Sequence, residues 1–352
     1  MTSSVPSILI YEYYSGGGWP EARLSEDLTE EGLAMLQAVL ADFRDWGGAK
    51  ITTTRDHRLP HVSLPADRVI TLDAAHHFRV LAHLAGQCTA ALIIAPESNG
   101  ILARLIALME SRGACLLCSD PDSVAACTNK WDCYQRFLQA GLPTPDTWCI
   151  DVRGAVEKAK EIGFPLVIKP VDGVGCKGVS IIRDVSSLLM VLERDGDYGK
   201  QLLLQRYVEG VHASVSLLVA GRDILCLSLN KQFIEVGTPF IYRGGEVPFM
   251  CDQYEAVLGT AMRAVSLLPG LRGYVGVDIL LTDEGYQLIE INPRLTTAYV
   301  GLRRVVNINL AEAIWGASIH DVLPVNVSLS GSVTFRTKKE SGDDSKTNSR
   351  GN

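Results

Sequence analysis

The stretch "FPLVIKPVDGVGCKGVSIIRD" (Phe164–Asp184) decides the fold. An apolar run ends on Lys169, three glycines follow (Gly173, Gly175, Gly178), and a second apolar run starts at Val179. In the phosphate-binding loop that opens a helix, the lysine comes after the glycines. Here it comes before them and the chain returns as a strand, so the order is strand, glycine loop, strand. Glycines let backbone N–H groups approach phosphate oxygens with no Cβ in the way. Lys169 adds a charge held on the neighbouring strand, and Lys177 lies within the loop. The stretch suits a flap that closes over a nucleotide.

A second stretch, "GYVGVDILLTDEGYQLIEINPRL" (Gly273–Leu295), places two apolar strands around "DEG". Read as a three-residue hairpin loop with Gly285 in the left-handed position, it pairs Thr282 with Tyr286 and therefore Asp278 with Glu290. Asn292 then shares their face by the period of two. Two carboxylates between apolar strands repel each other and are costly to bury without a cation. With only hard oxygen donors, Mg2+ bridging phosphates is the natural occupant, with Mn2+ as a substitute. A register slip of one residue would separate the acids.

Composition sets the frame around these two stretches. The chain has 352 residues, 47% of them apolar, which suits two or three lobes with real cores. A net charge of −7 removes the basic footprint of a nucleic-acid binder. Nine scattered cysteines and a start without a basic leader describe a reduced, cytoplasmic protein. Cys115 and Cys118 have metal-type spacing but no companion pair, and read as buried strand residues. No apolar run reaches the ~18 residues that span a membrane.

The first third alternates strand and helix signals: "SILIYEYY", Glu26–Phe43, "DRVITL", Phe78–Leu84, "TAALIIAP" and Ile101–Ser111. That order predicts a parallel sheet covered by helices. Two helices follow, the second capped by Thr128 and ended by Gly141. From Trp148 the order strand, helix, strand, glycine loop, strand, helix, strand suits an α+β lobe. "VSLSGSVTF" (327–335) reads as a last strand or hairpin, and "KKESGDDSKTNSRGN" (338–352) as disordered. The loop "YSGGGWP" (14–20) stands where a dinucleotide fingerprint would, but lacks its spacing. It is either a plain tight turn or an anion or substrate contact.

Lysine, glycine flap, apolar strand with hinge, then Asp, Glu and Asn on a late hairpin: this order resembles the ATP-grasp superfamily over roughly residues 5–322. The resemblance implies an ATP-grasp fold, α/β and α+β, with an N-terminal Rossmann-like pre-ATP-grasp lobe and two α+β lobes sandwiching ATP. The implied divisions are 1–119 for the parallel-sheet lobe, 120–204 for the small lobe with the flap, 205–325 for the large lobe with the metal site, and 326–352 for a last strand and tail. Lys130 in "TNKWD" and Lys169 match the phosphate-contacting lysines, and Gly173 to Gly178 the flap. "LLLQRYVEG" (202–210) resembles the adenine hinge, with Gln205 in the polar position, the backbone of Arg206 and Val208 at the adenine edge, and Tyr207 as a wall. The ribose contact falls to His212, as in biotin carboxylases, or to Glu209. Asp278, Glu290 and Asn292 match the metal ligands, and Arg294 matches an arginine that stabilises the phosphorylated intermediate. D-alanine–D-alanine ligases carry their arginine two residues before the metal aspartate, where this chain has Gly276. Lys231 and Gln232 in "SLNKQFIE" either approach the phosphates or lie on a solvated strand face.

Such enzymes activate a carboxylate as an acyl phosphate and pass it to an amine, releasing ADP and phosphate. "ILIYEYYSGGG", "ASVSLL" and "INPRLTTAYVGL" are similar to the subgroup that includes the tyramine–glutamate ligase of methanofuran biosynthesis. That likeness implies small-molecule carboxylate and amine substrates and a homodimer. Another amino-acid or peptide ligase, a bicarbonate-using carboxylase and a non-catalytic nucleotide-binding regulator stay open. If the first lobe faces the ATP site, Glu12 would receive a substrate ammonium, Gly16, Gly17 and Gly18 would let substrate approach the backbone, and Glu97 in "APESN" would lie on the same sheet edge.

Overall fold

The computed structural model describes residues 5–173, 175–195 and 200–336. The tail read above as disordered and Val174 of the flap lie outside the described residues. Among the described residues, no helix is long and apolar enough to cross a membrane.

The first unit runs β1 (Ser7–Glu12), α1 (Glu26–Trp46), β2 (Lys50–Asp56), β3 (Arg68–Leu72), α2 (His77–Ala85), β4 (Ala90–Ile94), α3 (Ile101–Ser111) and β5 (Cys115–Leu116). Its five strands are parallel in the order β3-β2-β1-β4-β5. All five residues of β4 are buried, as expected of a strand covered by helices on both faces. The sequence reading missed β2, whose "KITTTRD" carries its β propensity on threonines rather than on an apolar run. It also ran the first strand to Tyr14. The strand stops at Glu12, where the chain turns through residues 13–17. Only Cys115 and Leu116 of the cysteine segment are strand, and Cys115 is exposed rather than buried. All nine cysteines are free.

Next come α4 (Pro121–Thr128), α5 (Lys130–Gln139), β6 (Thr147–Asp151), α6 (Ala155–Ile162), β7 (Leu166–Pro170), β8 (Ser180–Ile182), α7 (Val185–Asp195) and β9 (Gln201–Arg206). The cap of α5 is Asn129, not Thr128. The Asn129 side chain accepts from the N–H groups of Trp131 and Asp132, whereas the Thr128 hydroxyl donates back to Val124 O within α4. Strands β6-β9-β7-β8 form an antiparallel sheet, with Ile168 opposite Ser180 across the glycine loop. The decisive stretch is therefore a strand, loop, strand flap.

The third sheet is built from β10 (Val211–Ala220), β11 (Asp223–Glu235), β12 (Ile241–Val247), then α8 (Tyr254–Ser266), β13 (Gly273–Thr282), β14 (Gly285–Asn292), α9 (Ala298–Leu302), α10 (Leu310–Ile319) and β15 (Val333–Arg336). Its antiparallel order is β14-β13-β10-β11-β12-β15, so the suspected last strand exists and pairs with β12. The hairpin reading needs correction. Thr282 pairs with Gly285 and Leu281 with Tyr286, so the turn is Asp283–Glu284, and Gly285 has φ 146°, outside the left-handed helical region. A bulge at Ile289 then shifts the ladder back by one residue, and Asp278 still faces Glu290.

One core joins the first sheet to α9, α10 and one side of the six-stranded sheet, through residues such as Phe43, Leu295, Tyr299 and Ile314. Asp42 of α1 clamps that junction. It accepts from the Tyr299 hydroxyl at 2.6 Å and from Arg303 Nε at 2.9 Å, and its carbonyl accepts from Asn309 at 2.9 Å. A second core fills the other side of the six-stranded sheet beneath α5 and α8, and the four-stranded sheet keeps a small core of its own.

Candidate active site

A cavity of about 970 Å³ opens where the three sheets meet. That lies at the upper end of the roughly 300–1,000 Å³ of small-molecule pockets and leaves room for a ligand of nucleotide size. At its floor, β13 and β14 bring Asp278 against Glu290, with Asn292 opposite Gly276. Asp278 accepts from Gln232 Nε2 and from Asn292 Nδ2, each at 3.0 Å. Glu290 accepts from Lys130 Nζ at 2.5 Å. Burial, then the neighbouring Glu290 charge, pushes the Asp278 carboxyl up to about 7. Burial also works upward on Glu290, but Lys130 and Lys169 outweigh it and hold that carboxyl below its ordinary value. The donor set is two facing carboxylates and an amide that can turn its oxygen inward, with Lys130, among the described residues, as the one cation bonded to it. These residues fit a hard divalent cation. Among the described residues, no three His, Cys, Asp or Glu side chains cluster as a metal site, so Asn292 would be the third ligand. Gly276 carries no arginine for a packing reason: a Cβ there would lie 2.6 Å from Thr296.

Lys130, the first residue of α5, also donates to Gly173 O at 3.1 Å, so one ammonium ties the flap to Glu290. Lys169, next to last in β7, donates to Gln205 Oε1 at 3.1 Å, while Gln205 Nε2 donates to Thr147 at 2.8 Å. Burial, with Lys130 adding to it, lowers Lys169 to about 8, and Glu290 only partly offsets this. In the flap, Gly175 (φ 59°) and Gly178 (φ 72°) occupy the left-handed region that glycine adopts without strain, and both line the cavity beside Lys177.

At the hinge, Arg206 N–H already donates to Asp146 O at 2.8 Å, so only its carbonyl is left for an adenine edge. Among the described residues, Val208 N–H has no partner. Tyr207 and His212 line the cavity, and His212 meets Phe240 edge-on at 6.1 Å. Burial keeps the imidazole below its usual pKa. Glu209 is exposed and outside the lining, so of the two ribose candidates only His212 reaches the cavity. Lys231 lines it too, its ammonium 5.4 Å from the Phe249 ring centre. Gln232, left open by the sequence, belongs with Asp278.

The first-lobe expectations change most. Glu97 does not line the cavity. It is buried behind Arg294, with Nε 2.9 Å from Oε1 and a Nη2 donor 3.1 Å from Oε2, and so fixes the guanidinium instead of meeting substrate. Glu12 lines the cavity, but its carboxylate turns back to accept from Tyr14 N–H at 3.0 Å, Ser15 N–H at 2.7 Å and the Ser15 hydroxyl at 2.6 Å. Gly16, Gly17 and Gly18 are outside the lining, and added Cβ atoms would meet Glu12 O, Leu72 O and the Tyr11 hydroxyl within 3 Å. Close packing of the turn, not substrate approach, accounts for them. The residue missed by the sequence reading is Glu31. It lies on α1 three residues after Leu28 and four before Met35, and all three line the cavity. An acid at that spacing on an apolar helix face was the available signal.

Known proteins resemble the chain over the same segments. A family model described as the ATP-grasp domain matches residues 127–298, and one described as the pre ATP-grasp 3 domain matches residues 49–124. The tyramine–L-glutamate ligase of Methanocaldococcus jannaschii is 31% identical over 227 residues, covering 64% of this chain and 61% of that protein, under two thirds of its length. The tyramine–L-glutamate ligase of Methanocaldococcus fervens is 28% identical over 299 residues, 84% of this chain and 89% of that protein. The crystal structure of a protein of Archaeoglobus fulgidus assigned to the ATP-grasp superfamily superposes with a TM-score of 0.67 at 28% identity, covering 89% of both chains.

Proposed function

The chain belongs to the ATP-grasp family, and on that premise we propose that it is an ADP-forming carboxylate–amine ligase that joins the γ-carboxylate of glutamate to the amine of tyramine. The observation that carries the reading is the meeting of Asp278, Glu290, Lys130, Lys169 and Arg294 around one cavity. Relatives named as tyramine–glutamate ligases support the choice of substrates. The divisions at residues 119, 204 and 325, a cytoplasmic setting and a homodimer belong to the same proposal.

Asp278, Glu290 and Asn292 would hold Mg2+, which when bound screens the triphosphate and polarises the transferring phosphoryl group. Lys130 and Lys169 hold phosphate oxygens, and the flap glycines offer backbone N–H groups and keep water from the acyl phosphate. His212, Tyr207 and the Arg206 and Val208 backbone hold the nucleoside. Arg294, held in place by Glu97, would face the donor carboxylate. A carboxylate oxygen attacks the γ-phosphorus and ADP leaves. The amine, after losing its ammonium proton to solvent, attacks the acyl carbon; phosphate departs with the C–O electron pair and the second N–H proton passes to it. Incubation with ATP, Mg2+, glutamate and tyramine is expected to release ADP and a γ-glutamyl amide detectable by mass spectrometry. ADP release that needs bicarbonate and not an amine would overturn the reading.

Lys169 supplies a pH test. Its pKa of about 8 without ligand lies below the ordinary 10.5 because of burial, and phosphate oxygens would raise it. Binding of metal-free nucleotide near pH 8.5 should therefore add about three-quarters of a proton at this lysine, and at pH 6.5, where the lysine is already charged, almost none there. Calorimetry in buffers of different ionisation enthalpy checks this. Lys169→Met should abolish the uptake, and pH-independent proton exchange would place the phosphates away from this lysine.

A further inference from the structure

The part of the cavity lining that α1 supplies is acidic. From α1, Asp27 and Glu31 line it together with Leu28 and Met35, and Glu12 lies beneath, with Gly32 leaving room for its carboxylate. Arg294 is the guanidinium beside them, and Glu97 already holds it in a two-point contact. Glu31 is a further acid in the field of that arginine. Its carboxyl is raised by burial although Arg294 and a hydrogen bond with Thr297 pull it down. One guanidinium is thus shared between Glu97 and Glu31. The lysine of the metal floor is engaged elsewhere, because Lys130 is bound to Glu290 and Gly173.

Next to Glu31 the lining turns aromatic. Tyr14 and Trp19 line the cavity with ring centres 5.3 Å apart. The segment that carries Trp19 is held rigidly: Arg58, paired with Asp56, donates to the carbonyls of Trp19 and Glu21. Tyr242, also in the lining, accepts from the Thr297 hydroxyl at 3.2 Å. A carboxylate beside fixed aromatic faces favours an organic cation, through ion pairing at one end and ring contact at the other.

We infer that Glu31, with the wall of Tyr14 and Trp19, is the subsite that takes the primary ammonium and the ring of an arylalkylamine, the acceptor substrate. Arg294 stands on the same side, so an amine held there is next to the carboxylate that the guanidinium faces. The inference deepens the ligase reading and borrows its substrate class from it, but as a binding site it stands or falls independently.

The test is calorimetric titration of tyramine and 2-phenylethylamine into the full chain, with and without Mg2+ and a non-hydrolysable ATP analogue. ADP release is read in parallel. Glu31→Gln should weaken both amines by about 10- to 100-fold, the effect of losing one charge-assisted contact. Affinity for the ATP analogue should stay unchanged, and Glu31→Asp should retain most of the amine affinity. 3-(4-Hydroxyphenyl)propionate, which carries an anion in place of the ammonium, should not bind. The proposal is overturned if the wild type binds neither amine at millimolar concentration, if Glu31→Gln binds them normally, or if the variant loses glutamate affinity instead. Amine binding without amine-dependent ADP release would refute the ligase reading and leave this subsite standing.

Discussion

Replacing Glu290 with Gln is expected to lower ATP turnover by roughly 10³-fold or more, because it removes a hard anionic ligand and releases Lys130 at once. Asp278→Asn should be similarly inactive, yet the two variants should part in stability. Lys130 is buried against Glu290, so Glu290→Gln strands a charge and destabilises the fold by roughly 3–5 kcal/mol. Asp278 has the opposite sign. Its folded pKa of about 7 lies above the ordinary 3.8, so between those values the folded chain holds a proton that the unfolded chain has lost. Metal-free stability therefore falls from this residue as pH rises from about 4 to 7. Asp278→Asn should flatten that decline and raise the melting temperature at pH 7.5. Thermal unfolding with EDTA and with Mg2+ measures both effects. Retained turnover in both variants at limiting Mg2+ would remove the metal assignment.

Arg294→Lys is the second large effect. It should leave ATP affinity intact and slow ligation by about 10²-fold, since an ammonium keeps the charge but loses the two-point planar geometry. Glu97→Gln should lower kcat as well, with KM for the proposed carboxylate and amine substrates nearly unchanged, because Glu97 holds Arg294 from behind and is outside the cavity lining. A rise in amine KM with normal kcat would instead make Glu97 a substrate contact. Steady-state kinetics with each substrate varied in turn separates the two.

The elements that local pattern writes into the chain were legible: the flap, the run from β6 to β9, and the facing acids on a short apolar hairpin. The acids were found partly by cancellation, since a loop read one residue too long and an unseen bulge at Ile289 lead to the same pairing. Contacts across long separations were not legible. Arg294 and Glu97 are 197 residues apart and Lys130 and Glu290 160, and no periodicity reports on such pairs. Glu12 misled because a strand-end acid looks free in sequence, although its own next turn supplies three donors. Strand β2 hid because its threonines pair without an apolar signal.

The clamp at Asp42 bears on how the cavity is entered. The first sheet and the late helices are parts of one solid body, joined by a shared core and by Tyr299, Arg303 and Asn309. The four-stranded sheet is attached more lightly. A patch of Val167, Ile181 and Phe240 holds it to the segment before β12, with backbone bonds from Ile181 to Gly237 and from Phe240 to Val179. Of the two walls around the cavity, this is the one with the smaller shared apolar contact. Opening of the cavity is therefore expected on the flap side, with the side that carries Glu31 as the fixed jamb.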